Sequence, residues 1–436
     1  MAQSEKPLHT LAAHEIAAAI ASGETTCEKV ARSCLARIAA REPVVKAWAF
    51  LDPEQVVADA RAIDQHKERG PLHGVPVGIK DIIDTADMPT EMGSPIYCGH
   101  QPFADASCVS LLRSAGALIL GKTATCEFAG ATATVTTNPH NPAHTPGGSS
   151  SGSGAAVADF MVPAALGTQT GGSVQRPSSF CGTVGYKPTF GIIDTTGVKP
   201  AANSLDTVGL LTRSVEDAEL LSRVLTNSTK VAWLKDDAKL RVGLSRTYAW
   251  DSADPATRDA VEDAARRLAQ AGIAVKDVTL PSSFGDLIET REIINDYERA
   301  RGMAFEWRTA RDTLSPGLAK TIENGLTITR ERYADAQIRV ERLRRELDGL
   351  FADADVWLTP TVHGEAPKGL SFTGDHRFQS IWTQLHNPAV TLPTHAGPNG
   401  LPIGIQLVAP QYQDAKLLTA AQFVFRKLGP GPRVQV

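Results

Sequence analysis

Two glycine-serine clusters lie near the middle of the chain, separated by one helix-compatible and one strand-like run. The first is Pro146, Gly147, Gly148, Ser149, Ser150, Ser151, Gly152, Ser153, Gly154, and the second is Thr168, Gln169, Thr170, Gly171, Gly172, Ser173. Glycine pairs let the backbone turn several N–H groups toward one point, and an adjacent serine adds a hydroxyl. That combination suits binding an anion or stabilising an oxyanion. A Gly/Ser run read alone is a flexible linker, but apolar segments flank this one and a second Gly-Gly-Ser follows it. A third chemical group is Lys80, which interrupts the apolar run Val75, Val77, Ile79, Ile82, Ile83. Burying an ammonium costs several kcal/mol unless it is paired or neutralised. Two readings are open: an ion pair with Asp81 or another acid, or a base kept neutral by a pKa lowered by roughly 3 units, ~4 kcal/mol.

These groups need a frame. Ala155 to Phe160 reads as a short helix and Met161 to Leu166 as an apolar strand, while Leu72 to Ile83 reads as a strand leaving a turn. Leu8 to about Ser22, with Leu11, Ile16 and Ile20 at helical spacing, predicts a helix ended near Gly23. Thr25 with Glu28 predicts a capping box for the next helix, carrying Val30, Cys34, Leu35 and Ile38 on one face, and a third helix follows Pro53. Ser214 with Asp217 caps a helix through Leu221 and Val224. Arg241 to Leu244 and Ala274 to Leu280 read as strands around a helix over 255–271. Ala319 to Leu350, with apolar Ile338, Val340, Leu343 and Leu347, reads as one or two long helices with a solvated charged face. Val356 to Pro360 and Ile403 to Val408 predict strands and Asp414 to Leu428 a terminal helix. Alternating strands and helices point to an α/β layered fold.

Across 436 residues, 42% hydrophobic and 21% charged content is ample for a large core, and a net charge of -4 gives no electrostatic reason to expect nucleic acid or an anionic membrane as partner. The six cysteines form no C-x-x-C pair and no cluster with histidine, so neither a metal site nor a disulfide framework is expected, and a reducing cytoplasm fits. Met1 to Leu11 lacks a basic start followed by an apolar core, and no apolar run reaches membrane-spanning length, so secretion and membrane insertion are not expected. Two motifs mislead. Gly116 to Thr123 matches G-x-x-x-x-G-K-T, with Lys122 in the nucleotide-binding position. Its interior, Ala117 to Leu120, reads as a buried strand with no loop to wrap phosphate. Gly148 to Gly152 matches G-x-S-x-G and nominates Ser150 as an α/β-hydrolase nucleophile, with His363, His376, His386 and His395 as available bases. The loop-like Asn138 to Pro146 stands where that motif needs a strand.

The run from Pro146 through Ser173 to Pro188 resembles the amidase signature hydrolases, which cleave amide bonds with a Ser-Ser-Lys triad. The resemblance extends to Gly74 to Asp81, Gly185 to Thr189 and Gly400 to Gln406 and covers nearly the whole chain, most weakly between about residues 230 and 350. It implies a large mixed β-sheet core covered by α-helices, in a single domain over 1–436. Within it, 1–64 are N-terminal helices, 65–225 the catalytic core and 226–436 the part completing the sheet and the pocket. It further implies Ser173 as nucleophile, Ser149 as the bridging serine after a cis bond from Gly148, and Lys80 as the base. Thr170, Gly171, Gly172 and Ser173 would form an oxyanion hole, Ser150 would support the site, and no cofactor or metal would be needed.

Most members of this family carry arginine two places after the nucleophile. Here Gln175 stands there and Arg176 comes third, which resembles malonamidase, where that arginine holds the substrate's free carboxylate. Arg176 either does the same or pairs with an internal acid. The first reading implies a short acid amide such as malonamate, with water as co-substrate. Neutral or aryl amides, biuret-type ureas and carbamates are alternatives. The resemblance also admits the amide-cleaving component of a tRNA-dependent amidotransferase or a catalytically silent scaffold, and a homodimer is open. Pocket walls are expected from Thr90 to Tyr97 and from the C-terminal third.

Overall fold

The computed structural model describes residues 6–435; the start of the stretch read for a leader, residues 1–5, lies outside the described residues. Eleven strands are described: β1 (Trp48–Phe50), β2 (Pro76–Lys80), β3 (Leu118–Thr123), β4 (Ala164–Gln169), β5 (Val184–Lys187), β6 (Thr207–Thr212), β7 (Arg241–Leu244), β8 (Ala274–Asp277), β9 (Val356–Pro360), β10 (Ala389–Ala396) and β11 (Pro402–Val408). They form one mixed sheet in the order β1-β3-β2-β4-β6-β5-β10-β11-β9-β7-β8. Residues 48–212 build one half and residues 241–408 the other, and the two meet where β5 pairs antiparallel with β10.

The helices are α1 (Ala13–Ser22), α2 (Cys27–Val45), α3 (Pro53–Gln65), α4 (Ser107–Ser114), α5 (Ser151–Ala158), α6 (Gln175–Cys181), α7 (Val215–Thr226), α8 (Pro255–Gln270), α9 (Asp286–Gly302), α10 (Ala304–Thr309), α11 (Pro316–Thr327), α12 (Arg330–Leu350), α13 (Arg377–Gln384) and α14 (Asp414–Leu428). The large mixed sheet with its helical cover is the fold the sequence implied. No helix among the described residues is long and apolar enough to cross a membrane.

Strands β2, β4 and β6 are buried along their whole length. Burial on both faces removes the alternation of a half-solvated strand, so they read as continuous small and apolar runs. Lys80 and Gln169 are polar exceptions at the carboxyl ends of β2 and β4. Because those strands run parallel, with Ile79 opposite Leu166, both ends emerge at the same sheet edge, where open α/β sheets place their ligands.

Several boundaries move from where the sequence put them. The first predicted helix breaks at Leu11 and Ala12 into a 3-10 turn (Leu8–Thr10) and α1, the N–H of Ala12 donating to Glu15 at 2.7 Å. The next cap is Thr26, not Thr25: its hydroxyl accepts from the Lys29 N–H at 3.3 Å. Helix α5 starts at Ser151 rather than Ala155, and β4 covers 164–169 rather than 161–166. In α12 Val340, Leu343 and Leu347 are buried as expected, but Ile338 is 68% exposed and Ala336 takes the inward position. Ser214 caps α7 as expected, accepting from the Asp217 N–H at 3.1 Å.

Candidate active site

Strand β4 ends at Gln169, and the chain then turns through Thr170, Gly171, Gly172 and Ser173 into α6. The buried Gln169 side chain organises this turn. Its Oε1 accepts from the N–H groups of Val174 and Gln175 at 3.0 and 3.1 Å, taking up two of the free donors that open a helix. Its Nε2 donates to Gln175 Oε1 and Thr383 Oγ1, each at 3.0 Å. The Thr383 hydroxyl donates to the Gly171 carbonyl at 2.8 Å, and the Thr170 hydroxyl to Asp206 at 2.5 Å. The loop is thereby held by its carbonyls and side chains, while the N–H groups of Gly171, Gly172 and Ser173 meet no acceptor among the described residues. Donors fixed in this way can meet a developing oxyanion without reorganising.

Behind the loop, Lys80 Nζ donates to Ser149 Oγ at 2.8 Å and to Thr168 Oγ1 at 2.7 Å, with all of Lys80 and Ser149 shielded from solvent. The Gly148–Ser149 peptide is cis, and the Ser150 N–H donates to the Ser173 carbonyl at 3.3 Å, so the two serine clusters are laced together. No carboxylate among the described residues touches Lys80. Asp81 points away and meets Lys122 at 3.3 Å, so the ion-pair reading of Lys80 does not hold and the lysine of the false phosphate-loop motif is the one that pairs. Desolvation pulls the Lys80 ammonium down to about 7, within reach of the neutral form at physiological pH.

Gly152 shows why the first cluster is rich in glycine. A Cβ there would collide with the Ala47 carbonyl and the Ala124 N–H, and its own N–H donates to Ala124 O at 2.9 Å. Gly152→Ala is expected to lower the unfolding free energy by about 2–3 kcal/mol in urea titrations and to depress activity with it, because Ser149 lies two residues before the start of α5.

Ser173 lines a cleft of about 540 Å³ together with Thr170, Gly171, Gly172, Arg176 and one face of α9. Arg176 is 5% exposed. One Nη donates to the Gly148 carbonyl at 2.6 Å and to Thr373 Oγ1 at 3.3 Å, while Nε and the other Nη have no partner among the described residues. Burial lowers the guanidinium to about 10, still charged at neutral pH. No acid pairs with it among the described residues, so the internal-pair reading of Arg176 is not what the chain adopts. His376 also lines the cleft; Arg291 first, then burial, hold it well below its usual range, so the imidazole is neutral.

Ser150 lies away from the candidate histidines: its Oγ donates to the Thr168 carbonyl and accepts from the Thr168 N–H, both at 3.3 Å. His363 sits on Ser252, His386 on Arg344 and Ser204, and His395 on Asp263. The expectation that Thr90 to Tyr97 walls the cleft fails, because Met92, Ile96 and Tyr97 pack into a cluster with Phe128 and Met303 instead. The wall comes from α9 and from residues 372–377. Sequence reading passed over Gln169, Asp206, Thr383 and Arg291. A glutamine closing an apolar strand was a usable signal for the first, while the others carry none without a motif around them.

Residues 29–418 match the family model described as Amidase. The chain is 32% identical over 464 aligned positions to a component of the glutamyl-tRNA(Gln) amidotransferase of Chloroflexus aggregans, its A subunit, covering 94% of this chain and 95% of that one. Among solved structures it is similar to one described under the evolutionary origins of an s-triazine catabolic enzyme, at a TM-score of 0.88 and 29% identity, covering 98% of this chain and 100% of that one. It is also similar to the peptide amidase of Stenotrophomonas maltophilia, at a TM-score of 0.85 and 27% identity, covering 98% and 99%.

Proposed function

The chain belongs to the amidase family, enzymes that hydrolyse carbon–nitrogen amide bonds, and from that premise we propose that its substrate is a small amide bearing a free carboxylate, malonamate being the simplest. The observation that carries this is Arg176: a buried, charged guanidinium on the cleft wall with two unpartnered nitrogens and no acid within ion-pair distance among the described residues. Its planar fork matches a carboxylate in two-point contact.

The reaction runs through Ser173, Ser149 and Lys80. Neutral Lys80 takes the Ser149 proton as Ser149 takes that of Ser173, and Ser173 Oγ bonds to the amide carbon. The N–H groups of the Thr170 to Ser173 loop hold the oxyanion. The proton returns through Ser149 to the nitrogen, the C–N bond breaks and the amine leaves. Water then attacks the acyl-enzyme by the same relay, restoring Ser173 and releasing the acid. Ser150, tied to Thr168 on both sides, fixes the loop and does not react.

Arg176→Ala tests the substrate. The expected result is a KM for malonamate raised about 100-fold and a KM for neutral aliphatic amides nearly unmoved. Losing the donor to the Gly148 carbonyl lowers kcat for both by a shared factor. Equal KM changes would make the arginine purely structural. A second reading, the amide-cleaving component of a tRNA-dependent amidotransferase, is favoured by the name of the Chloroflexus relative. It requires glutamine or asparagine as nitrogen donor and a partner for the ammonia; efficient malonamate hydrolysis by the chain alone counts against it.

A further inference from the structure

Only some of the charges lining the cleft meet a partner at contact distance. Arg291 meets Glu292 at 2.7 Å and Arg377 meets Asp375 at 2.7 Å. Arg299 donates to the Phe128 carbonyl at 2.9 Å and lies in the fields of buried Asp206 and, more weakly, Asp296. Arg176 on α6 and Asp296 on α9 likewise meet no ion-pair partner at contact distance among the described residues, although Asp375 acts on the first and Arg291 and Arg299 on the second through their fields. Asp296 is 9% exposed, accepts from Asn295 Nδ2 at 2.9 Å and has no cation within ion-pair distance among the described residues. Burial raises its carboxyl above the usual range, against the bonds from Asn295 and Asn324 and the field of Arg291.

The positions have a simple geometric origin. Ile288, Arg291, Glu292, Asn295, Asp296 and Arg299 recur three and four apart, so they form the one face of α9 that the cleft sees. Arg291 reaches the oxyanion loop, its Nη2 lying 3.3 Å from where a Cβ on Gly171 would stand. At 1.5 Å per residue, Asp296 is about 7.5 Å farther along the helix. At 540 Å³ the cleft is in the range that holds drug-sized ligands, so malonamate fills only part of it and leaves the α9 end empty.

Resting on the acid-amide reading above, we propose that Asp296, with Asn295 beside it, is a second subsite that takes an N–H-bearing group on the leaving-amine side of the substrate. The substrate class is then an N-substituted acid amide: a carboxylate on the acyl side at Arg176, the scissile bond at Ser173, and an amino or ureido terminus at Asp296. An ammonium and a urea offer the same donors here, and the test separates them.

The test compares N-(2-aminoethyl)malonamate, N-(2-ureidoethyl)malonamate and N-propylmalonamate on the wild-type chain, Asp296→Asn and Asp296→Leu. The wild type is expected to favour at least one N–H-terminated compound over the propyl compound by about tenfold or more in kcat/KM. If the donor is an ammonium, both variants erase that preference; if it is a urea, only Asp296→Leu does, because asparagine keeps an acceptor. A wild type with no preference overturns the subsite whether or not the variants fold, as does a preference that survives in Asp296→Leu. If Arg176→Ala leaves KM for the propyl compound unmoved, the carboxylate reading fails and takes the subsite with it. An intact Arg176 effect with no terminal preference overturns the subsite alone.

Discussion

Ser173→Ala is expected to lower kcat for acid amides by at least about 10⁴-fold, because removing the attacking oxygen leaves only binding and the oxyanion donors. Ser173 lines the cleft and its hydroxyl makes no bond among the described residues that holds the fold, so the urea midpoint is expected to stay within experimental error of the wild type, separating loss of activity from unfolding. A serine-directed fluorophosphonate should add its mass to the peptide containing Ser173 in the wild type and to no peptide in the variant. Groups acting as one relay are not additive: Ser173→Ala combined with Lys80→Met should be no slower than Ser173→Ala alone. A Ser173→Ala protein that still turns over malonamate would end the nucleophile assignment.

Lys80→Met is expected to do the opposite to stability of what it does to rate. With no base to take the Ser149 proton, kcat/KM falls by about 10³-fold or more. On the proposed mechanism the active form is neutral Lys80, so kcat/KM is expected to climb as pH rises through about 7 and level off above it. The variant's residual rate should lack that limb. Stability follows from the same shift. A lysine whose folded pKa lies below its unfolded value binds fewer protons when folded, so its unfavourable contribution is fully present below about pH 7 and fades as pH rises toward the unfolded value near 10.5. Methionine removes that burden, and the variant should be more stable by on the order of 2 kcal/mol near pH 7 in urea, after allowing for the lost bonds to Ser149 and Thr168. Buried Lys187 is also drawn to about 7 by desolvation, so the absolute stability profile mixes the two lysines. The difference between wild type and variant isolates Lys80.

The half of the chain that carries the candidate site was legible because its constraints are local. Glycines that let backbones approach, a lysine inside an apolar strand and serines beside N–H-rich turns all show in the letters. Between about residues 230 and 350 the strands near 241 and 274 and the helices over 255–271 and from 319 were legible, but α9 was not legible as an element, since its one polar face toward the cleft carries the same spacing as any solvated stretch. Its Arg291 and Asp296 acquire meaning only when the sheet brings them against Gly171 and the Ser173 cleft. Ile338 failed for a related reason: one apolar residue on a charged helix can face either way, and the packing of Ala336 and Val340 decided it. Strands β5, β6 and β10 escaped notice because glycine, threonine, lysine or histidine interrupts their apolar character, and β1 because three residues are too few to show a period.

The bond from Arg176 to the Gly148 carbonyl ties appetite to machinery. A descendant that trades this side chain for a smaller one to admit uncharged amides also unbraces the strand of backbone leading into Ser149, and so starts out slow on every compound it newly accepts. If Arg176 selects acid amides, a variant broadened at this position therefore needs a replacement donor to that carbonyl, and Thr373, already in contact with the arginine, is the neighbour placed to supply it.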